Sequence, residues 1–203
     1  MVTPVAVMLF AVHKPLASTS GSIFSLGLMG VGILAAAATG RFWVGVRLAL
    51  LNAGGLLVLA MTLGMAKPAH VVAAGAAMVV AGISFAARGA LFTKTLSERA
   101  WLMALFVVAG EGSVLLIAAV FPGALPDWFL ALLPAQWASM AILSAVTGAG
   151  VWVAAPPLIA LAGTAATTLH AAKLRLRRWP YLLMFTVWLG LSSLVYFWHP
   201  PPI

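Results

Sequence analysis

The stretch WLMALFVVAGEGSVLLIAAVF, residues 101–121, is one unbroken apolar run with a single ionisable side chain, Glu111, at its centre. A helix that spans a bilayer needs about 20 consecutive, mostly apolar residues. This run meets that length, and it is bounded by Arg99 on one side and by the turn-rich stretch Pro122–Asp127 on the other.

Working outward, the same pattern recurs along the chain. Seven segments have the length and polarity of membrane helices or nearly so: Ser22–Thr39, Val44–Ala66, Ala69–Phe92, Trp101–Phe121, Phe129–Val146, Val151–Ala172 and Tyr181–Trp198. Between them lie charge or turn signals: Gly40-Arg41, Lys67-Pro68, Thr93–Arg99, Pro122–Asp127, Gly148–Gly150 and Lys173–Pro180. Trp43, Trp101, Trp128, Trp179 and Trp198 fall at the segment ends, where indole rings favour the headgroup zone.

Composition agrees. Of 203 residues, 64% are hydrophobic and 7% charged, far below the roughly 25% charged residues of a soluble domain. So few charges cannot form the polar shell that water requires, whereas lipid tolerates an apolar surface. The expected fold is all-α: a polytopic transmembrane helix bundle of six to seven crossings, forming a single transmembrane domain over residues 1–203. The apolar stretch Met1–Val12 is short, lacks a leading basic residue and is followed by His13-Lys14. A signal peptide places its positive charge before the apolar run, so residues 1–14 are read as a retained, interfacial leader.

Eleven Lys and Arg oppose three acidic residues. Most of these cations punctuate the apolar runs, as topology signals do, so the basic excess implies no nucleic-acid partner. Zero cysteines exclude disulfides and thiolate chemistry.

The cations also bear on the number of crossings. With seven crossings they divide six against five and give no orientation. If residues 129–172 cross only once, Arg41, Arg47, Arg88, Lys94, Arg99, Lys173, Arg175, Arg177 and Arg178 share one face and Lys14 and Lys67 the other. That nine-to-two split is the bias expected of a multi-pass protein of a cell's inner (plasma) membrane. Pro134 and Pro156-Pro157 are candidate breaks that turn this stretch into a re-entrant element. Six crossings plus one irregular element is therefore the favoured reading. Ala73, Ala77 and Ala81, and the cluster Gly27, Gly30 and Gly32, mark sites where helices approach closely.

Glu111 is the leading candidate for chemistry. A charge at that depth costs a few kcal/mol at least, so the carboxyl must be protonated, paired or hydrated. A carboxyl that exchanges a proton there is the chemistry of an ion path; the plainer reading is a hydrogen bond to a neighbouring helix. Asn52 is a second candidate, bridging helices or meeting Glu111. Arg47 and Arg88 sit just inside helix ends and are read as snorkelling to the headgroups. Asp127 is read as solvated in its Pro-bounded loop.

His13, His70 and His170 are candidates for a quinone or haem side. None is deeply embedded, and two-histidine haem ligation needs imidazoles facing each other at similar depth, so no cofactor is expected. There is no Gly-x-Ser-x-Gly elbow, no His-Glu-x-x-His helix and no phosphate-binding glycine loop. Catalysis by this chain alone is the less favoured reading.

From Arg41 to Phe121 the order of features resembles the component E or K type membrane subunits of energy-converting hydrogenases and complex I. The matching pieces are a basic turn with Arg41 and Arg47, two apolar helices to Phe92, basic residues from Arg88 to Arg99, and a helix with Glu111 in Glu-Gly-Ser. Gly-Ser stands where that family has Asn-Gly, and the lysine of the preceding helix and a second embedded carboxylate are absent. The resemblance implies a proton-path subunit, with Glu111 as the residue that carries over.

The leading expectation is thus a membrane subunit of a multisubunit respiratory or ion-translocating complex, surrounded by the lipid bilayer and other membrane-protein subunits. The alternatives, in order, are a quinone- or haem-binding anchor, a small-solute transporter, and a structural or assembly protein.

Overall fold

A computed structural model describes residues 17–63, 69–174 and 179–198. The leader and His13 lie outside these residues. The described residues contain helices and turns and no strand. Helices α1 (Ala17–Thr39), α2 (Phe42–Thr62), α3 (Val71–Leu96) and α4 (Ala100–Val120) are followed by the single turn α5 (Asp127–Leu130). After it come α6 (Pro134–Thr147), α7 (Val151–Lys173) and α8 (Trp179–Phe197). Six of these, α1 to α4, α7 and α8, are long and apolar enough to cross a membrane. The chain is a multi-pass membrane protein built as a helix bundle.

Short connections make successive long helices antiparallel. The α1–α2 turn at Gly40-Arg41 and the 3-10 turn Ser97–Arg99 between α3 and α4 lie on one face, as does the end of α7 at Lys173. That face gathers Arg41, Arg47, Lys94, Arg99 and Lys173. Arg175, Arg177 and Arg178 follow in sequence, outside the described residues. We call it the basic face. Trp43, Trp101 and Trp179 ring it, and Trp128, Trp152 and Trp198 ring the opposite one, all exposed.

The irregular element is α6. At 14 residues it is about 21 Å long, short of a hydrocarbon core of about 30 Å. Its C-terminal end is tied to the start of α3 on the opposite face, through the Ala69 N–H donating to the Val146 carbonyl at 3.0 Å. Its N-terminal end is deep: Ser25 Oγ of α1 donates to the Ala135 carbonyl at 2.5 Å, and Ser22 and Ser139 hydroxyls meet at 3.1 Å. The chain therefore leaves α4 at the opposite face, dips inward through α5, and returns to the same face along α6. Residues 122–147 form a re-entrant loop and the following α7 makes the one crossing.

The breaks fall at Pro134 and Gly148. Pro134 is the first residue of α6, where its missing N–H costs nothing. Gly148 closes α6 with φ of +75°, a conformation in which a side chain is strained, and an added Cβ there would meet Ala69 Cβ at 3.1 Å. Pro156 and Pro157, by contrast, lie inside a continuous α7. The carbonyls they leave unbonded belong to Trp152 and Val153, beside the membrane edge, where polar partners are available.

Such non-spanning backbone is tolerated at depth only where protein or a water-filled cavity covers it. Here α1 does much of the covering. It packs against α2, α3, α4 and α6, and its glycines serve different neighbours: Gly27 faces Leu56, Gly32 faces Phe85 and Ala49, and Gly30 faces Val108. The small-residue stripe of α3 that packs inward is Ala74, Ala77 and Ala81, while Ala73 is exposed. Trp137 is fully buried, and its indole N–H donates to the Ala131 carbonyl at 2.7 Å, satisfying a carbonyl at the end of α5.

Candidate functional site

Glu111 lies nine residues from the end of α4, about 14 Å from that end at 1.5 Å per residue. Its side chain is 7% exposed. Two groups hold the carboxylate. Arg88 Nη1 of α3 donates to Oε2 at 2.9 Å, and the Ala135 backbone N–H donates to Oε1 at 2.8 Å.

The second bond explains how α6 ends at depth. The first turn of any helix leaves N–H groups without intrahelical acceptors. Leu133 at the N-cap supplies no side-chain acceptor, so Glu111 supplies one from α4. The positive end of the α6 dipole then faces a negative charge, a favourable arrangement near mid-membrane. Ion pair and cap together make Glu111 the junction of α3, α4 and α6.

Arg88 thus does not stand alone at a helix end. It is eight residues from the end of α3, about 12 Å from the basic face, and its side chain is 20% exposed. The pairing was legible in the sequence: Arg88 is eleven residues before Arg99 and Glu111 twelve after it. In an antiparallel hairpin turning at Ser97–Arg99, these near-equal separations bring the two residues to similar depth. Arg47, in contrast, is exposed one to two turns inside α2, as a snorkelling side chain is.

Asn52 does not meet Glu111. It packs over Gly27 of α1, and its Nδ2 is buried without a hydrogen-bond partner. Gly112, next to Glu111, meets α1 at Leu26 and Met29, a different side of that helix. His70 is exposed at the start of α3 on the opposite face. His170 is exposed in the last turn of α7 on the basic face, with Trp179 edge-on at 5.8 Å. The two imidazoles lie at opposite ends of the bundle and form no pair. Among the described residues no three His, Asp or Glu side chains are grouped to hold a metal ion.

A cavity of about 490 Å³ opens beside the re-entrant loop, lined by residues of α5 and α6 and by the end of α8. Asp127 is exposed at the start of α5 and lines it.

Comparison of the chain with protein-family models, with curated proteins and with solved structures finds no match.

Proposed function

We propose that this chain is a membrane subunit of an ion-translocating complex in a cell's inner (plasma) membrane, and that Glu111 exchanges a proton within it. The observation that carries the reading is an embedded carboxylate held by a cation and by the end of a re-entrant helix. Half-helices that end near the midplane and aim their N-terminal N–H groups at a charge are a recurring feature of ion and solute pathways.

The chemistry follows from the two partners. With Arg88 in place, the carboxylate is neutralised and capped. Arg88 has a long, partly exposed side chain within about 12 Å of the basic face. When it swings toward the headgroups, Glu111 is left in an apolar site with one hydrogen bond, and taking up a proton removes the uncompensated charge. The return of Arg88 favours the carboxylate and expels that proton. Arg88 acts as a movable counter-charge and Glu111 as the proton carrier.

With Arg88 taken up by the junction, the eight-to-two distribution of the remaining cations along the sequence supports the basic face being cytoplasmic. Exposed apolar surfaces on α4, with Phe106 74% exposed, and on α8, with Leu182 68% exposed, fit lipid or neighbouring subunits. The order of basic turns and embedded glutamate, which resembles that of hydrogenase and complex I subunits, is in keeping with the same reading.

The test is proton movement in proteoliposomes holding the assembly isolated in mild detergent. Glu111→Gln, which keeps an acceptor for Ala135 but cannot titrate, is expected to assemble and lose proton movement, while Glu111→Asp keeps part of it. A Glu111→Gln assembly that moves protons like the parent refutes the role. Glu111 then serves only to pin the re-entrant loop, which the three-helix junction would also explain.

A further inference from the structure

We infer that the cavity between the re-entrant loop and the end of α8 is a binding site for an organic cation carried on an apolar body. The site is separate from the Glu111 junction, and its evidence is independent of it. Its volume, about 490 Å³, falls in the range of about 300–1,000 Å³ that holds small-molecule ligands. Leu130, Ala131, Met140 and Val195 give it an apolar wall, while Asp127, Gln136, Tyr196 and Trp198 bring polar groups.

Charge selects the ligand. Among the described residues Asp127 is the one acidic residue lining the cavity, no Lys, Arg or His lines it, and Asp127 has no ion pair. Three aromatic side chains, Tyr196, Phe197 and Trp198, line the same space. Aromatic faces attract organic cations that are too poorly hydrated to prefer water. A carboxylate, aromatic faces and an apolar wall together fit a cation with an apolar body and disfavour an anion of the same size. The loop places this carboxylate at the membrane edge on the opposite face, so the ligand enters from the lipid boundary. The same chemistry is offered by the ammonium headgroup of phosphatidylethanolamine and by a free lipophilic cation.

The experiment measures binding of radiolabelled tetraphenylphosphonium and tetraphenylborate, ions of matched shape and opposite charge, to the full chain in nanodiscs. Discs of a neutral galactolipid, which carries no cation, are compared with discs that also contain phosphatidylethanolamine. Saturable binding of the phosphonium at least about tenfold tighter than the borate is expected, a difference of about 1.4 kcal/mol. Asp127→Asn, a change at an exposed position, should abolish the preference, and Tyr196→Leu should weaken phosphonium binding while leaving the chain folded. Competition by phosphatidylethanolamine identifies a lipid as the resident ligand, and its absence identifies a free cation; either outcome upholds the site. Equal binding of the two ions, no saturable phosphonium binding, or an unchanged preference in Asp127→Asn overturns it.

Discussion

Replacing Arg88 by Gln strands the Glu111 carboxylate with the Ala135 N–H as its remaining partner. Breaking a buried ion pair by removing one member costs about 3–5 kcal/mol. Because the Arg88 side chain is 20% exposed, the lower end, about 3 kcal/mol, is the appropriate figure. For a chain of this size, 1 kcal/mol moves the melting temperature by about 2–4 °C, so Arg88→Gln should melt about 6–12 °C below the parent. Glu111→Gln keeps the cap on α6 and leaves a cation that can move toward the basic face, at a cost of about 1–2 kcal/mol. The double variant removes both charges and leaves two amides that can still bond. It should lie within about 1 kcal/mol of the parent, since neutral replacement of a buried pair is often tolerated. The expected coupling is therefore at least about 3 kcal/mol, well above the roughly 0.5 kcal/mol scatter of independent sites. Thermal unfolding in detergent, followed by circular dichroism on the parent, both single variants and the double variant, measures it. Additive losses in the double variant would refute the pairing and with it the account of why α6 stops where it does.

Further outcomes test the fold and the sites. The chain has no cysteine, so single-cysteine variants report topology directly: Ala124→Cys and Ala149→Cys should label from one side of the membrane, and Thr95→Cys and Lys173→Cys from the other. Labelling of Ala124→Cys and Ala149→Cys from opposite sides would show that α6 crosses. Gly45→Val should destabilise the bundle by about 1–3 kcal/mol as overpacking does, because an added Cβ meets Ala36 Cβ at 2.7 Å and the Gly32 carbonyl oxygen at 2.8 Å. Gly54→Ala, with nothing within 4 Å, should melt at or above the parent temperature. A reduced-minus-oxidised optical spectrum of the purified chain should show no haem band; a haem b band that His70→Ala abolishes would restore the anchor reading.

The long helices were legible because lipid imposes a length and a polarity on each crossing, and runs such as residues 101–121 satisfy both without help from tertiary contacts. The re-entrant loop was legible in part. Pro134 and the charge split pointed to it, but Pro156-Pro157 pointed equally to a break in α7 that does not occur. Hydropathy cannot tell a proline near a membrane edge, where freed carbonyls find partners, from one that ends a helix at depth. The site was read from one side only. Glu111 stood out as a lone embedded charge, whereas Arg88 was assigned to the headgroups because its own helix end is near. Register across the α3–α4 hairpin, a relation between two segments, is what joins them. Asn52 shows the opposite error: two polar residues at mid-helix suggest a meeting, yet they face different sides of α1, which sequence periodicity on either helix does not reveal.

The central claim is that Glu111 carries a proton rather than merely pinning α6. The measurement that tests it most directly is proton flux through proteoliposomes holding the assembly with Glu111→Gln and Arg88→Gln combined, since this variant keeps the junction neutral and folded while removing the titrating group. The account predicts normal assembly and melting with flux reduced to the level of empty liposomes. Flux equal to the parent, from an equally stable assembly, would contradict it.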